Sequence, residues 1–197
     1  MFDLEGVPPD LGEAEKVYMW GMQVFEEDEA GERKGAFTIA LAGFGEGGDE
    51  AGWRDFLAKA AAILEEHPGI RFVHWASYEK TMLRKYIERY GDDDAGTGAQ
   101  VIDLLLDLYP ITKKVVALPL PSYSLKVVEQ SDAVFAVTGF KRTADEVAKG
   151  DDSIAAYMEA VETNDTSRRQ QVIDDISAYN EEDLAATWAV LKWLRSL

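Results

Sequence analysis

The sequence contains no cysteine, which excludes disulfide bonds, zinc–thiolate sites and a thiol nucleophile. It has no apolar run of membrane-spanning length, and no basic segment followed by an apolar one, so neither a transmembrane helix nor a signal peptide is predicted. These absences predict a soluble, cytoplasmic protein with no membrane partner. The 197 residues are 47% hydrophobic, enough to bury the core of a single domain.

Basic residues are also scarce, since 20 lysines and arginines stand against 37 acidic residues and the net charge is −17. A nucleic-acid-binding protein ordinarily presents a basic face. This balance therefore predicts weak, salt-sensitive binding to a free polyanion, unless bound divalent cations or a separate partner domain supply positive charge. The alternative is that the acids form a solvated surface that only aids solubility.

The spacing of apolar residues predicts a meander of strands followed by helices. Strands are predicted over residues 2–5, 16–25, 35–42 and 70–75, the last one parallel to the first, with a further short strand near 134–138. Helices are predicted over residues 49–66, 78–90, 152–163, 168–178 and 181–195, while residues 100–112 are helical or mixed. This order is typical of an α/β domain with a mixed sheet flanked by helices.

Asp3 and Glu5 are two positions apart on the first predicted strand, so both side chains point to one face. A carboxylate pair on a central, apolar strand is costly unless a cation neutralises it. The pair therefore indicates a metal site. The alternative is a pair of surface acids at the end of a strand.

Tyr179 and Asp183 are four positions apart on a predicted helix, which also places them on one face. There the aspartate could hold a cation while the phenol orients a water molecule, as metal-assisted phosphodiester hydrolysis requires. Alternatively, Asn180 caps the last helix and Asp183 is a favourable first-turn acid. This alternative leaves Tyr179 unexplained.

Glu79 follows the strand at 70–75 and opens a helix, near the strand ends where sites of parallel sheets gather. It could equally be an ordinary first-turn acid. His74 is better explained as a packed strand histidine than as a metal ligand. Asp103 and Asp107 lie in an amphipathic stretch, and either could be a plain surface acid.

Few basic residues are candidates for contacting nucleic acid. Lys126 stands alone in a neutral segment, where it either contacts a phosphate or is simply solvated. The pairs Lys141–Arg142 and Arg168–Arg169 are candidate contacts to a nucleic-acid backbone. The sequence places none of these basic residues beside the candidate carboxylates. We therefore expect metal ions to provide most of the stabilisation of negative charge at the site.

Four segments, in order over nearly the whole chain, resemble the YprB-like branch of the ribonuclease H-like DEDD 3′–5′ exonucleases, found in RecB-type nucleases. They are Asp3-Leu-Glu5-Gly6, His74-Trp-Ala-Ser77-Tyr78-Glu79-Lys80, Ser122-Tyr-Ser-Leu-Lys126 and Tyr179-Asn180-Glu-Glu-Asp183. The sequence departs from the wider exonuclease group at the second segment, because Glu79 stands where that group carries aspartate.

The resemblance implies one ribonuclease H-like exonuclease domain over residues 1–197, which we expect to be excised from a longer protein with associated helicase or nuclease domains. Its sheet would be five-stranded and mixed, with strand order 3-2-1-4-5. Asp3, Glu5 and Asp183 would bind two Mg²⁺ or Mn²⁺ ions, Glu79 would complete the catalytic carboxylates and Tyr179 would align water. Single-stranded nucleic acid would be contacted by Ser77, Tyr78 and Lys126.

Two other classes of function remain open on the sequence alone. One is a catalytically degenerate ribonuclease H-like module, kept for binding or as a scaffold of a larger nucleic-acid-processing protein. The other is a purely structural acidic domain. The first is favoured by the acidic surface and by Glu79, and the second predicts no stabilisation by divalent ions.

Overall fold

A computed structural model describes residues 1–9, 15–43, 47–142 and 150–197, with the backbone alone for residues 150–153. The strands are β1 (Phe2–Val7), β2 (Lys16–Asp28), β3 (Gly31–Leu41), β4 (Phe72–His74) and β5 (Leu105–Asp107). The helices are α1 (Gly48–Glu66), α2 (Tyr78–Tyr90), α3 (Thr97–Leu104), α4 (Leu108–Val115), α5 (Leu125–Glu129), α6 (Asp132–Thr138), α7 (Gly150–Glu162) and α8 (Thr166–Arg195). Within these ranges, no helix is both long enough and apolar enough to span a bilayer.

The strands form two separate sheets, so the expected single five-stranded sheet of order 3-2-1-4-5 is wrong. β1, β2 and β3 form an antiparallel meander, and β4 pairs in parallel with β5. β1 and β4 meet through side chains, with the Phe2 and Phe72 rings edge to face at 5.9 Å. β4 has only three residues, and within the described residues its backbone ladder is with β5.

Two further expectations are corrected and one is confirmed. The segment near 134–138, placed as a strand, is helix α6. Residues 100–112 are mixed, as expected, because β5 lies between α3 and α4. Residues 168–178 and 181–195 are parts of one helix, because α8 continues through Asn180 without a break.

Alternation along β1 sends its side chains to two different surroundings. Phe2 and Leu4 join the aromatic core beneath α1, where Phe2 stacks on Phe56 at 5.6 Å. Burying each such side chain stabilises the fold by roughly 1.5–3 kcal/mol. Asp3 and Glu5 lie on the opposite face, toward α8, because successive strand residues point to opposite sides.

Apolar contacts on both sides of its middle hold α8 over that face. Ile176 is buried in a cluster with Tyr18 and Met19 of β2, and Trp188 stacks on Phe25 at 5.4 Å. A helix of 30 residues spans about 45 Å, so these two anchors fix the turns between them. Those turns carry the polar residues of the site.

Candidate metal centre

The first part of the site is the polar face of β1. Asp3 pairs with Gly21 and Glu5 with Met19 on the neighbouring strand β2. Glu5 is only 8% exposed. The antiparallel register thus holds two carboxylates on a buried strand, at consecutive positions of the same face.

The second part is one turn of α8. Tyr179 and Asn180 are buried, and the Asp183 side chain is 13% exposed. Tyr179 and Asp183 share a helix face because they are four residues apart. Both lie on the part of α8 that packs against β1 and β2.

The structure brings Asp3, Glu5 and Asp183 together, as the sequence predicts. One carboxylate oxygen from each lies within 4.8 Å of the other two. Burial raises the pKa of Asp3 well above its usual value, and the nearby charges of Asp183, Glu5 and Glu79 raise it further. A divalent cation would relieve this repulsion, and an all-oxygen, anionic donor set is what hard cations such as Mg²⁺ prefer, so the residues fit such an ion.

Asn180 orients Asp3 across the interface between helix and strand. Its amide nitrogen donates to Asp3 Oδ2 at 2.8 Å. A Cβ atom at Gly21 would overlap the Asn180 side chain, so the glycine makes the room for this contact. Interpreting Asn180 as the cap of a separate helix is therefore wrong, because its side chain is used by the site.

Glu79 lies near the carboxylate cluster without joining it. Its charge adds to the raised pKa of Asp3, but its Oε2 lies 3.0 Å from Nδ1 of the buried His74. Burial raises the pKa of Glu79, while the hydrogen bond with His74 acts to lower it. His74 is thus a packed strand histidine with a buried partner, which is one of the two interpretations that the sequence left open.

Asp107 fixes the chain segment that leads to Glu79. Its Oδ1 accepts hydrogen bonds from the backbone nitrogens of Ala76 and Tyr109, each at 2.9 Å. Ala76 has a φ of 69°, a left-handed conformation that non-glycine residues rarely adopt. Asp107 is therefore a structural acid at the end of β5, and the interpretation of it as a plain surface acid is wrong.

A partly buried arginine lies beside the carboxylates, contrary to the expectation that no basic residue is poised there. Arg142 donates from Nε and Nη2 to the two oxygens of Glu129, the second contact at 2.9 Å. Nη2 also donates to Oδ1 of Asp183. The Arg142 side chain is 14% exposed and that of Glu129 is fully buried, so the guanidinium is held in one position.

Tyr179 contacts two cations through its ring. Lys126 Nζ lies 4.7 Å from the ring centroid and Arg142 Cζ lies 5.8 Å from it. Burial raises the pKa of Tyr179, and Asp183 and Glu5 raise it further, so its hydroxyl is a donor at neutral pH. Lys126 thus lies against the aromatic wall of the site, and its contact with nucleic acid stays a prediction.

The remaining predicted contacts lie at the start of α2 and α8. Ser77 is exposed, and the Tyr78 hydroxyl packs so closely over Gly6 that a Cβ atom there would overlap it. Arg168 pairs with Glu159, and Arg169 donates to the carbonyl of Ala160 at 2.9 Å. Both arginines therefore tie α8 to α7.

Sequence reasoning missed Glu129, Gly21 and the roles of Asn180 and Arg142. A glycine between Trp20 and Met22, inside an apolar strand, is a known mark of close approach and could have indicated the Asn180 contact. No local signal joins Glu129 to Arg142, since they meet only when the chain after α6 returns to the site.

A comparison with known families finds one match. The family model described as RNase_H superfamily matches residues 1–195. No curated protein and no solved structure gives a significant match to the chain.

Proposed function

The chain belongs to the ribonuclease H superfamily, whose members are generally nucleases, and on this premise we propose that it is a divalent-metal-dependent nuclease of the 3′–5′ exonuclease type. The observation that supports the proposal is the convergence of Asp3, Glu5 and Asp183 to within 4.8 Å. Carboxylates brought this close from a strand and a distant helix are unfavourable unless a cation is shared among them.

Asp3, Glu5 and Asp183 would hold two Mg²⁺ or Mn²⁺ ions. When bound, such ions generate a hydroxide nucleophile at neutral pH and stabilise the departing oxygen of a phosphodiester. The chain's own contribution is to fix these ligands, with Asn180 donating to Asp3 at 2.8 Å.

Tyr179 would orient the attacking water. Its raised pKa keeps the hydroxyl protonated, so that it can donate a hydrogen bond beside Asp183. Glu79 would act from the edge of the cluster, through the charge that it places near Asp3. We further propose that Lys126, Ser77 and Tyr78 contact a single-stranded end, and that linked or associated domains strengthen the weak binding expected of a chain with a net charge of −17.

One observation favours a second candidate, a degenerate module that binds without cutting. Asp183 is paired with Arg142, and Glu79 with His74. Two carboxylates of the expected set are thus satisfied by the protein itself. If these pairs persist with divalent ions present, the chain keeps the fold and loses the chemistry.

Calorimetric titration with Mn²⁺ and single-turnover cleavage of labelled single-stranded DNA and RNA at low salt decide between the two candidates. We expect Mn²⁺ to bind, and at 100 times its dissociation constant to stabilise the fold by about 2.7 kcal/mol relative to chelator. Cleavage in Mn²⁺ and none in chelator supports the nuclease. Metal binding without cleavage of either substrate supports the degenerate module, and no stabilisation by Mn²⁺ contradicts the nuclease.

A further inference from the structure

The Glu129–Arg142–Asp183 group is the most completely built polar feature that the proposed chemistry leaves without a role. Glu129 has no exposed side-chain surface, and the charge of Arg142 compensates it. Burial raises the pKa of Glu129, and the hydrogen bond from Arg142 acts against that rise. A buried pair of this kind is weak evidence for stability, because apolar residues can often replace it without loss.

One side of the Arg142 guanidinium makes no hydrogen bond with Glu129. Nε and Nη2 are engaged by Glu129, and Nη2 also by Asp183. Within the part of the chain that the structure describes, Nη1 donates to no hydrogen-bond partner. The Arg142 guanidinium is planar, is held by Glu129 along one side and lies next to the carboxylate cluster. Its remaining donors are therefore suited to bind a phosphate oxygen.

The contact with Asp183 has a consequence for metal binding. Asp183 Oδ1 accepts from Arg142, and Asp183 also offers an oxygen within 4.8 Å of those of Asp3 and Glu5. A cation that binds Asp183 lowers the attraction of that carboxylate for the guanidinium. It therefore frees Nη2, while Glu129 still holds the arginine beside the site.

We propose that Arg142 is a phosphate-binding residue of this site: it pairs with Asp183 while the cation is absent and turns to a substrate phosphate once a cation takes that carboxylate. Glu129 is its positioning residue. The inference rests on the proposed function for the identity of the phosphate, which belongs to a single-stranded nucleic acid. Arg142 thus competes with the metal ion for Asp183 and binds the phosphate of the substrate.

These two roles predict effects of opposite sign in one variant. The double substitution Glu129→Gln/Arg142→Gln removes the guanidinium together with its buried anchor, keeps the net charge unchanged and leaves Asp183 without its arginine partner. We expect Mn²⁺ to bind more tightly to it than to wild type in the absence of nucleic acid. We expect a labelled single-stranded oligonucleotide in Ca²⁺, under conditions where no cleavage is detected, to bind about tenfold more weakly.

Salt dependence identifies a lost phosphate contact. The slope of log affinity against log salt should fall by about 0.7 in the double variant, as expected for one phosphate contact on a single strand. Arg142→Lys keeps a point charge without the planar guanidinium and should recover part of the oligonucleotide affinity. Glu26→Gln/Arg33→Gln is the matched control, because it also removes one glutamate–arginine pair without changing the net charge, in this case an exposed cross-strand pair of β2 and β3 at 3.3 Å.

The proposal is overturned if the double variant binds the oligonucleotide with the affinity and salt slope of wild type. It is also overturned if Mn²⁺ and oligonucleotide binding weaken together, because that is the result of a merely structural role. Wild type that binds both but cuts nothing contradicts the nuclease and leaves the assignment of Arg142 supported by the binding results. Wild type that fails to bind the oligonucleotide contradicts both proposals.

Discussion

Two partly buried carboxylates on helices, Asp49 and Asp183, have similar exposure and opposite surroundings. Asp49, in the first turn of α1, is 17% exposed, and Asp183 is 13% exposed. Asp49 accepts from the hydroxyls of Tyr86 and Tyr90, the latter at 2.8 Å, and from Arg89 at 3.0 Å. Asp183 shares one arginine with Glu129 and faces Asp3 and Glu5.

The difference between these regions lies in the balance of donors and acceptors. Around Asp49, three side-chain donors meet one carboxylate, so both carboxylate oxygens are hydrogen-bonded and the network ties α1 to α2. Around Asp3, three carboxylates meet few donors, and the pKa of Asp3 is raised by burial and by its neighbours. Surplus acceptors favour a cation from outside the chain, which is the basis of the proposed metal site, whereas the network around Asp49 has no such surplus.

The largest effect is expected from replacing Asp183 by asparagine, and the same replacement of Asp49 is its comparison. Asp183→Asn removes a charged ligand, and loss of several kcal/mol of metal-mediated stabilisation lowers single-turnover cleavage by about 10³-fold. Calorimetry should show weaker Mn²⁺ binding as well. Asp49→Asn should leave cleavage unchanged below its unfolding temperature and reduce the stability by about 1–3 kcal/mol. Equal losses of cleavage in both variants would remove the distinction between the regions.

A tyrosine pair tests the comparison at the level of one hydroxyl. Tyr179→Phe should leave Mn²⁺ binding intact and lower the cleavage rate by about 10²-fold, because water loses an orienting donor. Tyr86→Phe removes a hydroxyl that donates to Asp49 and accepts from Val17 N at 2.7 Å. It should lower the melting temperature and leave cleavage unchanged. If Tyr179→Phe cuts as fast as wild type, Tyr179 is a packing residue.

A glycine substitution tests the support of the site without touching a carboxylate. Gly21→Ala forces the Asn180 side chain away from Asp3, and overpacking of this kind costs about 1–3 kcal/mol of stability. Mn²⁺ affinity should fall at the same time. Gly35→Ala on β3 is the control, since its Cβ would meet Val24 at an ordinary 3.4 Å and should change stability by less than about 1 kcal/mol. Unchanged metal affinity in Gly21→Ala would show that Asn180 does not position Asp3.

The sequence predicts the polar faces of this fold better than its sheet. Side-chain periodicity is local, so the shared faces of Asp3 with Glu5 and of Tyr179 with Asp183 follow from spacing alone. Whether β4 pairs with β1 or only with β5 depends on backbone contacts between segments far apart in sequence. Three-residue strands such as β4 and β5 carry too little pattern to decide it.

The partners of the site residues are less predictable for the same reason. Arg142 reaches Asp183 only through the path of the chain around α5 and α6, and no spacing rule joins them. The alternative interpretation of Asn180 as a helix cap rests on the preference of asparagine for helix starts. Packing against Gly21 and the hydrogen bond to Asp3 override that preference, so the helix continues.

The smallest effect concerns the pH dependence of stability in chelator. Burial and neighbouring carboxylates raise the folded-state pKa of Asp3 above its ordinary value of 3.8. Such a group binds its proton more tightly in the folded than in the unfolded protein. Its stabilising contribution is therefore complete below pH 3.8 and is lost as the pH rises through the raised folded value. In chelator, wild type should be less stable at neutral pH than at mildly acidic pH.

Asp3→Asn isolates this contribution, because the raised pKa values of Glu79 and Glu129 are common to both proteins. The variant should depend less on pH and should exceed wild type in stability at neutral pH by about 1 kcal/mol, since it carries no buried charge there. In Mn²⁺ the sign reverses for wild type alone, because a bound cation requires the ionised carboxylate and its affinity rises with pH. Chemical denaturation at several pH values, with Mn²⁺ and with chelator, measures both differences. Parallel pH profiles for the two proteins in chelator would mean that Asp3 is ionised without cost, and the surplus of acceptors would then not distinguish this region from that of Asp49.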